Sequence, residues 1–352
     1  MRRAFLVLRG LLLGLVAAFA PRAFAGDLKG FVVVYDGWGT QTSFVVSGRV
    51  LESQDEIAAE KTASGAVNLI ENIKALESDE VRFADVHVTI AGQQFAATTD
   101  DDGNFKVQVK GLPASQALPL GPLPVTVSLV KAPGRKPEQL KVRAGNGHVY
   151  VYDEKLAFTA IVSDIDDTIV KTYVTDKKKM IGAVLFSNAL QLEPVAGASP
   201  AYRKARDGGV LGYFYLSGSP QNFYLRLQSY LAAQEFPAGP LLLKNFGNEP
   251  LTKQHGYKLD RLENLVAALP LMKIIAIGDT GEADPEIFAE FRKRPPHRVH
   301  AIVIRKTPGT DVRPERFPNM TTFDDGYPDD AVIARLLAPG VTLQPAPPGG
   351  SR

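Results

Sequence analysis

The chain has 352 residues, of which 45% are hydrophobic and 22% are charged, and its formal net charge is +2 at pH 7. This length and composition allow two folded domains with proper cores and exclude a disordered or fibrous protein. The absence of cysteine excludes disulfides, thiolate catalysis, zinc–cysteine sites and a lipid anchor on cysteine, and the nearly neutral charge argues against nucleic-acid binding.

The first 25 residues have the pattern of an export signal. Arg2 and Arg3 precede an apolar run over residues 11–20, and the sequence AFA at 23–25 provides a cleavage site. Cleavage would remove four arginines and no acidic residue, which changes the formal net charge from +2 to −2. We expect an exported protein, periplasmic or secreted, by the general or the twin-arginine route. An uncleaved anchor is the alternative, although the run is short for a membrane span.

Residues 26–152 consist largely of short runs rich in β-branched and aromatic residues, which turns separate. The runs are FVVVY, FVVSGRV, DVHVTI, FKVQV, PVTVSLV and HVYVY. Such spacing predicts an all-β, antiparallel, sandwich-like domain. Within it, residues 62–77 carry apolar side chains at helical spacing, which predicts a helical insertion.

The sequence DDDGNF at residues 100–105 lies between two of these strands. Its composition predicts a hairpin turn in which Gly103 adopts a positive φ. A calcium-binding loop is the alternative, but the other ligands of the twelve-residue calcium loop are missing.

Residues 153–338 have a different pattern, in which nearly continuous apolar runs alternate with segments of helical periodicity. The runs are FTAIVSD, VLGYFYLSGSP, GPLLLKNFG, MKIIAIGD and RVHAIVIRK. Strands that are buried on both faces and alternate with helices predict an α/β domain with a parallel sheet. The remaining residues, 339–352, are rich in Pro and Gly and are expected to be disordered.

The polar residues that close the apolar runs form the candidate site, because ligands of an open parallel sheet bind beyond the carboxyl ends of its strands. The first run ends in three aspartates, Asp164, Asp166 and Asp167. Like charges so close to a buried strand repel each other unless a cation compensates them. If the extended geometry continued, Asp164 and Asp166 would face the same side and could share a metal ion.

Two further segments supply candidate ligands for an anion. Ser217 ends the second run, where Ser219 is predicted as the N-cap and Pro220 as the first residue of the next helix. Lys258 opens a later helix. Considered alone, Lys258 would be expected to be exposed, and Lys253 is an alternative to it.

The last segment carries two acids. Asp279 directly follows a strand, and Asp284 lies five residues later, where it could also cap a helix. In a phosphoryl-transfer site, Asp279 would bind the metal ion, and Asp284 would orient Lys258 or a metal-bound water.

One catalytic scheme uses all of these segments. A carboxylate that attacks a phosphate dianion needs Mg²⁺ to compensate the charge. Asp164 would be the nucleophile that forms an aspartyl phosphate, and Asp166 would protonate the leaving oxygen and later deprotonate the attacking water. Ser217 and Lys258 would bind the phosphoryl oxygens. The sequence therefore predicts a Mg²⁺-dependent phosphatase.

The ordered set of segments resembles the four motifs of the haloacid dehalogenase superfamily of phosphatases. The set consists of DIDDT, an apolar strand that ends in Ser217, then Lys258, then GDTGEAD. More narrowly, SDIDDTI, YLSGSPQNFY, FPAGPLLL, GDTGEADPEIF and RVHAIVIR are similar to the actin-patch phosphatidate phosphatase family, whose bacterial relatives are mostly exported. The amino-terminal half is also similar to that family, in YDGWGT, SGRV, NLIENIKALESDEV and TTDDDGNF.

The resemblance implies a Rossmann-like catalytic domain of the haloacid dehalogenase type, Mg²⁺ dependence, and hydrolysis of phosphatidate to diacylglycerol and phosphate. It implies that Asp166 also reaches the metal ion through its backbone carbonyl. Thr280 and Glu282 stand where the family pattern has Ser and Gln. The implied site consists of the metal ligands Asp164, Asp166 and Asp279, the phosphoryl ligands Thr168, Ser217 and Lys258, and the second acid of the last motif, Asp284.

Residues 177–186 lie where a cap over the site would be inserted and combine three lysines with the apolar sequence MIGAVLF. One interpretation is a helix that rests on an anionic lipid surface, as a peripheral membrane contact. The other is a solvated charge run that precedes a core helix.

We therefore expect a phosphatase for phosphatidate or a related lipid phosphate. A phosphatase for a small soluble phosphate ester is one alternative, and a non-catalytic protein that binds lipid or a surface through a vestigial site is another. The complete set of acids argues against the latter, since a decayed site would be expected to have lost Asp164 or Asp279 first. The sequence identifies no protein partner.

Overall fold

The structure is a computed structural model in which residues 27–52, 79–172, 191–245 and 254–327 are described. Some predicted features lie outside these residues and stay predictions, namely the export signal (1–25), the helical insertion (62–77), the basic and apolar segment (177–186), Lys253 and the C-terminal tail (339–352). Within the described ranges, no helix is both long and apolar enough to cross a membrane.

The first sheet contains nine strands, β1 (Leu28–Thr40), β2 (Phe44–Glu52), β3 (Asp79–Glu80), β4 (Asp85–Ile90), β5 (Gln93–Thr98), β6 (Asn104–Val109), β7 (Gly121–Lys131), β8 (Leu140–Arg143) and β9 (Gly145–Tyr152). The second sheet contains six strands, β10 (Phe158–Ser163), β11 (Gly212–Pro220), β12 (Leu241–Lys244), β13 (Met272–Asp279), β14 (Val299–Lys306) and β15 (Thr321–Asp324). The helices are α1 (Ala198–Asp207), α2 (Tyr224–Ala233), α3 (Gln254–Ala268) and α4 (Asp284–Lys293).

The first sheet has the strand order β3-β2-β1-β9-β7-β4-β5, with β6 paired to β2 and β8 paired to β1. The expectation of purely antiparallel pairing is wrong, because β1 pairs in parallel with both β8 and β9. The cause is the length of β1, which has 13 residues. One edge of β1 pairs with β2, while the other edge is shared between β8 near Leu28 and β9 near Thr40.

This sheet curls so that distant strands face each other across a common core. Phe44 on β2 and Phe95 on β5 are far apart in the strand order, yet their ring centroids are 5.3 Å apart. Alternate residues of each strand point inward, as Val86, Val88 and Ile90 of β4 do. The layering is sandwich-like, but one hydrogen-bonded sheet provides both layers.

The turn at residues 100–105 does not form the predicted hairpin. The preceding β5 pairs with β4 and the following β6 pairs with β2, so the chain passes from one layer to the other. Gly103 has the predicted positive φ, at 72°. Asp100 Oδ1 accepts hydrogen bonds from the backbone N–H groups of Asp102 and Asn104, which gives this acidic sequence a structural role as a turn.

The second sheet is parallel and has the strand order β12-β11-β10-β13-β14-β15. Numbered along the chain this order is 3-2-1-4-5-6, so the direction of winding reverses between β10 and β13. In open α/β sheets, ligands bind beyond the carboxyl ends of the strands at such a reversal. The fold therefore brings together Asp164, which follows β10, and Asp279, which ends β13.

Helices cover both faces of this sheet. Tyr202 of α1 is buried in one cluster with Ile161, and Leu262 of α3 is buried in another with Val162. Ile161 and Val162 are successive residues of β10, and their side chains point to opposite faces. This double coverage explains why the strand is apolar throughout.

The first sheet packs directly against the helices on one face of the second. Tyr35 of β1 is buried in the same cluster as Tyr224 of α2, and their ring centroids are 4.7 Å apart. The backbone N–H of Asp36 donates a hydrogen bond of 2.8 Å to the Tyr224 hydroxyl. The first sheet thus holds the helix that follows the Ser217 segment.

Replacing Tyr224 with Phe should lower the free energy of unfolding by about 1–3 kcal/mol, because the buried N–H of Asp36 would lose its acceptor. Urea unfolding of the wild type and the variant measures this change. Leu225→Ala, at an exposed position next to it on α2, is the control and should change stability by less than about 0.5 kcal/mol. Equal stability of Tyr224→Phe and the wild type would contradict a role for this contact in joining the two sheets.

Candidate active site

Asp164 is the first residue after β10 and is almost fully buried. Its backbone N–H donates to the carbonyl of Ile277 in β13 at 2.8 Å, so the residue lies between the two central strands. Its Oδ1 accepts a hydrogen bond from Lys258 Nζ at 2.7 Å, and its Oδ2 accepts one from the Thr168 hydroxyl at 2.8 Å. Both oxygens are therefore fixed in direction.

Lys258 is buried, with 0% of its surface exposed, so the expectation for an isolated lysine is wrong here. Its ammonium group lies 2.7 Å from Asp164, 3.1 Å from Glu282 and 2.5 Å from Asp284. α3 begins at Gln254, four residues before the predicted start, which places the lysine in the second turn and not at the helix end. A lysine ammonium has three donors, and here each one has a carboxylate acceptor.

Asp284 does not cap a helix, as one interpretation of the sequence had it. α4 begins at Asp284, its N-cap position is Ala283, and no side chain caps it. The Asp284 carboxylate instead accepts from Lys258 at 2.5 Å and lies 3.4 Å from the backbone N of Asp279. A Cβ at Gly278 would lie 2.4 Å from Asp284 Oδ2, so only glycine at this position lets the carboxylate approach the strand.

Asp279 ends β13 and is also buried. Its Oδ2 accepts hydrogen bonds from the Gly281 N–H at 2.7 Å and the Thr307 hydroxyl at 2.5 Å. Its Oδ1 is buried and has no hydrogen-bond partner among the described residues. Oxygens of Asp164, Asp279 and Asp284 all lie within 4.8 Å of one another. Buried carboxylates at this spacing, one of them with an unpartnered oxygen, fit a divalent cation with oxygen ligands.

Burial dominates the electrostatics of this cluster. It raises the pKa values of Asp164, Asp166 and Asp284 above the ordinary aspartate value, although Lys258 opposes the shift. Burial, together with the charge of Asp284, raises the pKa of Asp279 to about 7. Burial alone would lower the pKa of Lys258, but the surrounding carboxylates outweigh it and hold that pKa well above its ordinary value. The lysine is therefore charged, and the acids carry more negative charge than it can balance.

Asp166 and Ser217 form a second group beside the first. Asp166 Oδ2 accepts hydrogen bonds from the Ser217 hydroxyl at 2.7 Å and the Ser219 hydroxyl at 3.2 Å. The predicted N-cap role of Ser219 is wrong, because Ser219 lies at the end of β11 and a short 3₁₀ helix, Gln221–Phe223, precedes α2. The tertiary contact with Asp166 takes the place of the local capping bond.

The structure therefore brings most of the predicted residues into one cluster and two of them into a neighbouring one. The main cluster contains Asp164, Thr168, Lys258, Asp279 and Asp284, and the second contains Asp166 and Ser217. The sequence analysis assigned no role in the site to Glu282 and Thr307, and it assigned Ser219 only a role as a helix cap. Of these residues, only Glu282 could have been noticed in the sequence, because it is a charged residue where the family pattern has Gln.

A protein-family comparison finds similarity over most of the second sheet. The sequence model described as "Phosphatidate phosphatase APP1, catalytic domain" matches residues 159–306. Phosphatidate phosphatase APP1 of Saccharomyces cerevisiae is 32% identical over 149 residues, which are 41% of this chain and 25% of that protein. An uncharacterised protein of Schizosaccharomyces pombe is 28% identical over 153 residues, which are 42% of this chain and 25% of that protein.

Among solved structures, the Pnkp1/Rnl/Hen1 complex aligns with a TM-score of 0.32 and 16% sequence identity, over 50% of this chain and 48% of that chain. The chain spans about a quarter of the length of the curated relatives it matches. The segment matched by the family sequence model runs from the second residue of β10 to the last residue of β14. It contains every acid of the site and Lys258, and it ends one residue before Thr307.

Asp279 should make the stability of the metal-free protein dependent on pH. Its pKa in the folded protein is about 7, above the ordinary value of 3.8, so the folded state binds this proton more tightly than the unfolded state. The protonated Asp279 therefore stabilises the folded state fully at a pH below its unfolded-state pKa of 3.8. This stabilisation is lost as the pH rises through the folded-state pKa of about 7. Asp279→Asn should remove this loss and make the metal-free variant more stable than the wild type at pH 8.

Urea unfolding in EDTA at pH 5 and at pH 8 measures the difference. Asp260→Asn, at an exposed position on α3, is the control and should follow the wild type at both values. If the free energy of unfolding changes equally between pH 5 and pH 8 in Asp279→Asn and the wild type, the raised pKa of this buried carboxylate is contradicted.

Proposed function

We propose that this chain is a Mg²⁺-dependent phosphoric-monoester hydrolase of the haloacid dehalogenase type, because residues 159–306 match the sequence model of the phosphatidate phosphatase APP1 catalytic domain. The observation that carries the proposal is the buried cluster in which Lys258 and Thr168 hold the carboxylate of Asp164 within 4.8 Å of Asp279. This cluster lies at the reversal of strand order, where an α/β sheet binds its ligands.

In the proposed reaction, a carboxylate oxygen of Asp164 attacks the phosphorus atom and the bond to the leaving oxygen breaks. Asp166 gives its proton to that oxygen. Burial raises the pKa of Asp166, which favours the protonated form. Ser217 and Ser219 both donate to Oδ2, so the proton is carried by the other oxygen. Asp166 then takes a proton from water, which attacks phosphorus and releases phosphate and free Asp164.

The donors of the site fit a divalent cation, which we propose is Mg²⁺. Asp164, Asp279 and the backbone carbonyl of Asp166 would hold it, while Asp284 orients Lys258. When bound, the ion supplies positive charge that compensates the carboxylates and the phosphoryl oxygens. Thr168, Ser217 and Lys258 are the proposed ligands of the phosphoryl group.

We propose phosphatidate or a related lipid phosphate as the substrate, with diacylglycerol as the product in the first case. The support is the similarity to the yeast phosphatidate phosphatase, which is 32% identical over 149 residues. Export of the protein, and a peripheral membrane contact through residues 177–186, are proposals that rest on the sequence alone.

Asp164→Asn should reduce the hydrolysis of a chromogenic aryl phosphate by more than about 10³-fold, because the amide cannot attack phosphorus. Wild-type hydrolysis should require Mg²⁺ and stop in EDTA. Acid quenching during turnover should trap a phosphorylated peptide that contains Asp164. Asp260→Asn is the control and should keep wild-type activity. Equal hydrolysis by Asp164→Asn and the wild type would contradict the proposed role of Asp164. Absence of hydrolysis in both would favour the non-catalytic protein of the alternative interpretation.

Phosphatidate in detergent mixed micelles should be hydrolysed with a kcat/KM at least about tenfold higher than that of glycerol 3-phosphate, because binding of the apolar chains contributes to transition-state stabilisation. The rate should also rise with the surface fraction of phosphatidate. Phosphate release in the same buffer measures both substrates. A higher kcat/KM for the soluble ester would favour the alternative of a phosphatase for small soluble esters.

A further inference from the structure

The two carboxylate oxygens of Asp279 have different surroundings. The N–H of Gly281 and the hydroxyl of Thr307 both donate to Oδ2, at 2.7 and 2.5 Å. Oδ1 is buried without a hydrogen-bond partner in the described part of the chain. A buried oxygen without a donor is unfavourable, and it is the oxygen that a cation would bind. The two donors to Oδ2 therefore decide which oxygen faces the site.

The hydroxyl of Thr307 is itself held in one orientation. A hydroxyl has a single proton to donate. Arg305 Nη1 lies 3.3 Å from Thr307 Oγ1 and donates to it, so the hydroxyl proton points to Asp279. The backbone N–H of Thr307 donates to Thr280 Oγ1 at 2.8 Å, and the hydroxyl of Thr310 donates to the Thr307 carbonyl at 2.7 Å. Thr307 is thus fixed through both its backbone and its side chain.

The same arginine contacts the loop that carries the proposed nucleophile. Arg305 is buried, and its Nη1 donates to the backbone carbonyl of Asp167 at 2.7 Å. Asp167 has a φ of 53°, which is unfavourable for a residue with a side chain and so needs support from its surroundings. The next residue, Thr168, donates to Asp164. One guanidinium group therefore connects the loop that orients Asp164 with the threonine that orients Asp279.

We propose that Thr307 is a positioning residue for the divalent-cation site and that Arg305 holds it in place. This inference rests on the proposed function, because the cation is the one that the hydrolase would use. Together the two residues hold the carboxylates of Asp164 and Asp279 in position before the cation binds. Cation binding then requires no rearrangement of β10 and β13. Thr307 lies just beyond the matched segment, and its assignment comes from the geometry alone.

Thr307→Val removes the hydroxyl and keeps the shape of the side chain. We expect it to weaken Mg²⁺ binding by about 10–100-fold, as changes to residues that orient metal ligands do. Isothermal titration calorimetry of Mg²⁺ into EDTA-treated and dialysed protein at pH 8 measures this directly. The Mg²⁺ concentration for half-maximal hydrolysis should rise by the same factor, with a smaller change in the rate at saturating Mg²⁺. Thr307→Ser keeps the hydroxyl and should restore binding close to the wild-type affinity.

Thr159→Val is the matched control. Thr159 is a buried threonine near the opposite end of β10, and its hydroxyl has no hydrogen-bond partner among the described residues. The same substitution there should leave the Mg²⁺ affinity unchanged. Circular dichroism and thermal unfolding establish that each variant is folded. If Thr307→Val does not fold, Thr307→Ala and Arg305→Lys take its place with the same expected weakening, since a lysine cannot reproduce the planar fork of an arginine.

The outcomes separate the inference from the proposed function. Weaker Mg²⁺ binding in Thr307→Val with recovery in Thr307→Ser supports the positioning role. Wild-type affinity in the valine or alanine variant overturns it and leaves the hydrolase proposal intact. A wild-type protein that shows no Mg²⁺ binding in the calorimeter overturns the proposed cation site itself.

Discussion

The burial of one lysine among three carboxylates is the interaction on which the rest of the site depends. Lys258 contacts Asp164, Glu282 and Asp284, and Asp279 lies beside them. Four carboxylates and one ammonium group leave an excess of negative charge, and burial makes such an excess costly. Protonation is one remedy, which the raised pKa values of Asp164, Asp279 and Asp284 reflect. A divalent cation is the other remedy, and in the proposed function it would also compensate the charge of the substrate phosphate.

The fold creates this concentration of charge at the reversal of strand order between β10 and β13. Glycine at position 278 allows Asp284 to approach β13, and α3 places Lys258 next to the same carboxylate. The first sheet contributes from a distance, since Asp36 holds Tyr224 at the start of α2. That helix follows the segment in which Ser217 contacts Asp166. The first sheet is therefore part of the framework of the site, although it supplies none of the proposed reacting groups.

The sequence predicted those site residues whose signal is local. Asp164 and Asp279 stand at the ends of apolar runs, and the parallel sheet brings such ends to one edge. The burial of Lys258 could not be predicted, because a lysine near a helix start is usually exposed and its carboxylate partners come from a different segment. Ser219 was misassigned for the converse reason, since the local capping pattern is real but a contact 53 residues away replaces it. Thr307 had no signal, because its contact with Asp279 depends on the register of β13 against β14.

The central claim is that a divalent cation joins the carboxylates of Asp164 and Asp279. Anomalous diffraction from crystals soaked in Mn²⁺, with competition by Mg²⁺, locates such an ion directly. The account predicts one strong anomalous peak between these two carboxylates, in contact with Asp279 Oδ1 and weakened by excess Mg²⁺. Crystals that bind Mn²⁺ only elsewhere, with Lys258 and the acids unchanged, would contradict it.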